Sequence, residues 1–155
     1  MSYRITGLSP EQFARYWTKS DAELANYGIR RMQADSDHGF PCRISLQDAR
    51  VGESLLLLPF AHHDVAGPYH ASGPIFVRER AVESAVYTND IPTAFRRRLI
   101  SVRAYDATGW MIGAEVIEGE ELDATIAQHL QKDATEYLHL HNARPGCFAA
   151  RVDRC

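Results

Sequence analysis

Residues 137–148, Tyr-Leu-His-Leu-His-Asn-Ala-Arg-Pro-Gly-Cys-Phe, gather two imidazoles and a thiol around one Pro-Gly turn. Strand periodicity sends side chains at i and i+2 to one face, so Tyr137, His139 and His141 share a side while Leu138 and Leu140 line the other. Imidazoles so placed can donate, accept or coordinate near neutral pH. Zinc needs three or four ligands at about 2.0 to 2.3 Å, and His139 and His141 are the metal candidates because a strand-borne His-x-His presents two of them together. Cys147 is a poor third ligand. If Ala143 to Gly146 form a four-residue loop, Asn142 faces Cys147 and His141 faces Phe148, which turns the thiol to the opposite face unless a bulge reverses the parity. A ligand from the loop carrying His62, His63, Asp64 and His70 is equally possible. No HExxH or paired CxxC fixes a metal site, and the competing expectation is two histidines packed in a sheet and hydrogen-bonded to neighbours.

His139, His141 and Cys147 are also the catalytic candidates, since a thiolate paired with an imidazole is a nucleophile. The plainer expectation for Cys147 is a small buried core residue. Fifteen of the seventeen cationic side chains are arginine, which means either forked anion contacts or a GC-rich codon bias. Arg96-Arg97-Arg98 reads as a solvated helical face. Arg103 and Arg151 lie within strands, where an inward charge must be paired, and Asp106, Glu115 and Asp153 are the available partners. Otherwise Arg103, Arg151 and Asn142 are the ligand-binding candidates, able to hold a carboxylate or phosphate. The chain specifies no cofactor.

These groups belong to 155 residues, enough for one domain spanning 1–155 that buries roughly 70% of its unfolded surface. A net charge of −3 argues against nonspecific nucleic-acid binding. Cys42, Cys147 and Cys155 are odd in number and lack framework spacing, and no cationic-plus-apolar leader opens the sequence, so reduced thiols in a cytoplasmic setting are expected. The longest apolar run, from Leu55 to Ala61, falls far short of the ~20 residues that cross a bilayer, so no membrane span is expected.

The elements that must position the chemistry follow from local signals. Ser9-Pro10-Glu11-Gln12, with Phe13, Tyr16 and Trp17 at helical spacing, predicts a short helix; Ser20-Asp21-Ala22-Glu23 predicts a second, with Gly28 to end it. Their aromatic residues, with Tyr27, pack on something larger or meet a partner. Cys42, Ile44 and Leu46 alternate as in a strand, Ser54 to Leu58 and Gly73 to Arg78 read as strands, and Thr93 to Arg98 as one helical turn. Leu99 to Asp106 and Trp110 to Ile117 form a hairpin around Ala107-Thr108-Gly109. Glu120 to Gln131 places Leu122, Ile126 and Leu130 one turn apart in a later helix, and Glu136 to Asn142 pairs with Cys147 to Asp153. The expectation is α+β: a largely antiparallel sheet with two short N-terminal helices and one later helix packed against it.

Gly39-Phe40-Pro41-Cys42-Arg43-Ile44-Ser45-Leu46-Gln47-Asp48-Ala49, Gly73 to Glu79, Leu99 to Asp106 and Tyr137 to Arg154, in that order, resemble a bacterial family known only as domain of unknown function 1203. The likeness spans nearly the whole chain and implies an intact domain, without supplying an activity or catalytic residues. Two functional expectations remain. The first is a small molecule bound or transformed at a His/Arg pocket beside the C-terminal hairpin, which requires His139 and His141 to converge on an open cavity. The second is a noncatalytic protein-interaction or homodimerisation module, in which those histidines are packed shut.

Overall fold

The computed structural model describes residues 1–155 and contains two antiparallel sheets. Strands β1 (Tyr3–Thr6), β5 (Val86–Thr88), β6 (Leu99–Tyr105), β7 (Met111–Glu118), β8 (Tyr137–Asn142) and β9 (Phe148–Arg154) form the larger, in the order β5, β1, β9, β8, β6, β7. Strands β2 (Arg30–Gln33), β3 (Ser54–His63) and β4 (Ala71–Arg78) form the smaller, with β3 central. Short helices α1 (Asp21–Ala25), α2 (Thr93–Arg96) and α3 (Leu122–Leu130) complete an α+β fold. No helix is long and apolar enough to cross a membrane.

The β6–β7 and β8–β9 hairpins and α3 stand where their sequence periods place them. Leu122, Ile126 and Leu130 of α3 are buried against Ile100, Val102, Leu138, Leu140 and Val152 of the larger sheet. α1 begins with a full capping box, in which the Glu23 amide donates to Ser20 Oγ at 3.2 Å and the Glu23 carboxylate accepts from the Ser20 amide. Gly28, at φ +71°, supplies the left-handed residue that turns the chain toward β2.

Two expectations are corrected, and two strands are added. The first N-terminal helix is instead two 3-10 turns, Pro10–Gln12 and Ala14–Tyr16. Ser9 gives no side-chain cap, and Phe13, whose ring is buried with Leu24, Ile29 and Leu56, takes φ −115° and breaks the ladder between them. Cys42 to Leu46 is not a strand but a tight turn with only bridges at Pro41–Asp48 and Cys42–Phe76. Leu46 sits at φ +56° and donates its amide to the Cys42 carbonyl at 3.0 Å; the alternation exists because Cys42, Ile44 and Leu46 are all buried. Finally, β1 and β5 were not expected, because each is only a few residues long and exists through pairing with distant chain, β1 with β9 and β5 with β1.

One strand gains length that matters for the site. The apolar run beginning at Ser54 continues through Pro59 to His63, so His62 and His63 are strand residues rather than loop. A register shift between Phe60 and His63 breaks strict alternation there. Consecutive residues are thereby freed to face the same neighbour.

Candidate functional site

All six residues of β8 are buried, so the strand is covered on both sides. Leu138 and Leu140 meet α3's side of the core, while Tyr137, His139 and His141 meet the end of β3, the face assignment expected from a two-residue period. His62 stacks on Phe148 at 5.3 Å and stands 5.1 Å from His141, whereas His63 lies 4.2 Å from Tyr105 and 5.0 Å from His139, ring centre to ring centre. The result is a layer of imidazoles and aromatic rings sealed between the two sheets, with His139 2% and His141 1% exposed.

Hydrogen bonds assign part of this layer. The carbonyl oxygen of Tyr69 lies 2.7 Å from His63 Nδ1, and Tyr137 Oη lies 2.6 Å from Nε2. With Nδ1–H donating to the carbonyl, Nε2 accepts from the phenol. His141 Nδ1 likewise donates to the Gly146 carbonyl at 3.0 Å. His62 Nδ1, His139 Nδ1 and His141 Nε2 have no partner. Burial, reinforced by neighbouring imidazoles and Arg151, lowers the His139 pKa to about 2; burial also lowers that of His141 to about 4, with the Gly146 carbonyl opposing. No three His, Cys, Asp or Glu side chains stand at the spacing of a metal site.

The flanking arginines do not open the layer. Arg151 lies 3.9 Å above the Tyr137 ring and pairs with Asp153 at 2.7 Å, one of the partners expected from sequence. Arg103 donates to Ser101 Oγ at 3.3 Å. Neither arginine lines a substantial cavity, and neither do His139 and His141.

The cavity lies beside the same hairpin but around its tip. It measures about 540 Å³, within the range of small-molecule sites. Asn142, Arg144 and Cys147 line it from the hairpin, Arg43 from the turn before β3, and Arg97 and Arg98 from the end of α2. Asn142 and Cys147 face one another, the Asn142 amide donating to the Cys147 carbonyl at 2.9 Å. The turn between them closes through Gly146, which holds φ +81° and donates to the Asn142 carbonyl at 2.8 Å. Cys147 is therefore turned away from the imidazoles, as the four-residue loop requires.

Arg43 is the unusual member. Its side chain is among the largest fully buried ones, and the residue is 2% exposed. Nε donates to the Phe148 carbonyl at 2.7 Å, Nη1 to the Pro41 carbonyl, and Nη2 to Cys147 Sγ at 2.9 Å. None of these acceptors is a carboxylate. Burial pushes the guanidinium below its ordinary pKa, with Cys147 opposing. By contrast, Arg98 is forked onto Asp48 at 2.6 and 3.1 Å, so its charge is already matched. Arg97 is exposed and bonds His38 at 2.7 Å.

A family model described as protein of unknown function (DUF1203) matches residues 39–154. The chain belongs to this family. The DUF1203 span contains Arg43, Asn142, Arg144 and Cys147 together with the whole imidazole layer, and leaves out β1, α1 and β2. No curated protein and no solved structure matches the chain.

Sequence reasoning singles out Asn142 and Cys147 but misses Arg43, which lines the same cavity and bonds the Cys147 sulfur. Its signal is weak: an arginine between two apolar residues, Cys42 and Ile44, in a segment whose period suggested a strand. Only the tertiary turn carries its guanidinium to a sulfur 104 positions along the chain.

Proposed function

We propose that this DUF1203 protein binds a small molecule carrying a carboxylate or phosphate in the cavity at the hairpin tip. The observation that carries this reading is Arg43, a buried guanidinium held by two carbonyls and a thiol, with no carboxylate to balance it. A buried charge without a counter-charge is costly. Arg43 has five N–H donors and uses three on the acceptors named above, which leaves two for an anionic oxygen. Arg97 and Arg144 add exposed positive charge among the lining residues, where Glu118 is the one acid. Asn142 lines the same cavity, and its Oδ1 is buried without a partner. Free thiols at Cys42, Cys147 and Cys155 fit a reducing, cytoplasmic setting.

The rival, an interaction or homodimer module, has one feature in its favour. Ile112 and Val116 on β7, an edge strand, are 42% and 60% exposed, beside Trp110 at 51%. That stripe leaves the unbalanced charge of Arg43 without a purpose, so the cavity is the better-supported site.

The test is thermal unfolding in inorganic phosphate and in small mono- and dicarboxylates, against chloride at matched ionic strength. A ligand at ten times its Kd adds about 1.4 kcal/mol, which raises Tm by about 3 to 6 °C for a chain of this size. Replacing Arg97 and Arg144 together by Ala should shrink that shift while leaving the unliganded Tm within about 1 °C, because both side chains are exposed. Equal Tm values in phosphate, carboxylates and chloride would contradict the proposal.

A further inference from the structure

The anion site contains a thiol at bonding distance from its buried cation. We propose that Cys147 is a nucleophile that captures small electrophiles bearing a carboxylate or phosphate, forming a thioether inside the cavity. This inference rests on the anion-binding reading above and adds a covalent step to it.

The geometry distinguishes Cys147 from the other two cysteines. Its sulfur is half-buried, lines the cavity, and receives Arg43 Nη2 at 2.9 Å and Asn142 Nδ2 at 3.8 Å. Two donors thus converge on one sulfur, and one of them is cationic. The sulfur electron pair is what attacks carbon, and the two donors fix that sulfur at the cavity wall. Cys42 is buried away from the cavity and its sulfur accepts from the amides of Ile44, Ser45 and Arg78. Cys155 is exposed, and its sulfur lies 3.3 Å from Ser2 Oγ. Asn142, 4% exposed, lines the same cavity and keeps its carboxamide oxygen unpartnered.

Arg43 would serve both partners of the reaction. One Nη2 hydrogen holds the sulfur, and the unused hydrogens hold the anionic group of the electrophile, so that the carbon next to that group lies beside the sulfur. The sulfur electron pair then forms the S–C bond as the bond from carbon to its leaving group breaks. The leaving group departs with the bonding pair, and the thiol proton passes to solvent. No imidazole base is required: His38, the one histidine lining the cavity, is exposed and bonded to Arg97.

Iodoacetate and iodoacetamide test this, because they alkylate by the same displacement and differ in charge. Cys155 in the same chain is the reference thiol, each site being followed by peptide mass analysis. Cys147 should react faster than Cys155 with iodoacetate, and its iodoacetate-to-iodoacetamide rate ratio should exceed that of Cys155 by about tenfold, the worth of one charge-assisted hydrogen bond. Cys147→Ser should remove the fast site. Arg43→Lys keeps the charge but loses the fork and should erase the preference. Should that buried variant fail to fold, Arg97→Ala with Arg144→Ala should still lower the iodoacetate rate at Cys147 and spare the iodoacetamide rate. Slower reaction at Cys147 than at Cys155 with both reagents would overturn the nucleophile and leave anion binding to the thermal-shift test. Fast reaction at Cys147 with both reagents, without preference for the anion, would overturn the anion-binding reading instead.

Discussion

Lowering the pH from 7 to 5 should remove on the order of 4 kcal/mol from the stability of the fold. His139 and His141 are 2% and 1% exposed, and their pKa values are lowered to about 2 and about 4. In the unfolded chain each returns to about 6.5. Below that value the unfolded chain binds protons that the folded chain refuses, so stability falls as pH falls. The stabilisation is complete above pH 6.5 and is lost toward pH 4 for His141 and further still for His139. Each group contributes about 1.4 kcal/mol per pH unit, or about 2 kcal/mol by pH 5. His62, whose pKa burial also lowers, acts in the same direction. Urea midpoints at pH 7.5, 6 and 5 measure the effect, and a midpoint unchanged across that range would mean that the imidazole layer admits protons.

His139→Ala should cost about 2 to 4 kcal/mol, through packing alone. The ring stands 5.0 Å from His63, 5.2 Å from Tyr105, 5.3 Å from Tyr137 and 5.0 Å from Phe148, and its Nδ1 makes no hydrogen bond. Truncation opens a void that these rings, fixed on four strands, cannot close. His139→Phe fills the same space without a desolvated nitrogen and should stay within about 1.5 kcal/mol of the parent, while removing one histidine's share of the acid response. Denaturant midpoints of the two variants at pH 7.5 and 5 give both quantities. Parental stability in His139→Ala would show that the layer is not a packed core.

The parts of this architecture that were legible in the sequence are those whose cause is local. The Ser20 to Glu23 capping box, the Leu122, Ile126, Leu130 spacing, and the alternation of Tyr137, His139 and His141 with leucines each report a structure that forms within a few residues. The four-residue loop also placed Cys147 opposite Asn142 and away from the histidines. The rest depends on distant chain. β1 is a strand because β9 and β5 flank it, and His62 and His63 approach β8 because of an irregularity in the pairing of β3 with β4. Neither carries a local mark. The functional site shows the same division: His139 and His141 lie on the expected face, but that face is closed by the second sheet. The cavity formed instead where Arg43, unremarkable in sequence, crosses to the hairpin tip.

The central claim is that the cavity at Arg43, Asn142 and Cys147 receives an anion. A titration of ¹⁵N-labelled protein with inorganic phosphate, followed by two-dimensional amide spectra at constant ionic strength, tests it most directly. Saturable shifts are expected at the Asn142 side-chain amide and at the backbone amides of Ala143, Arg144, Gly146 and Cys147, with the amides around His62 and His139 still. Shifts that fail to saturate, or that saturate only at residues outside the cavity, would contradict the account.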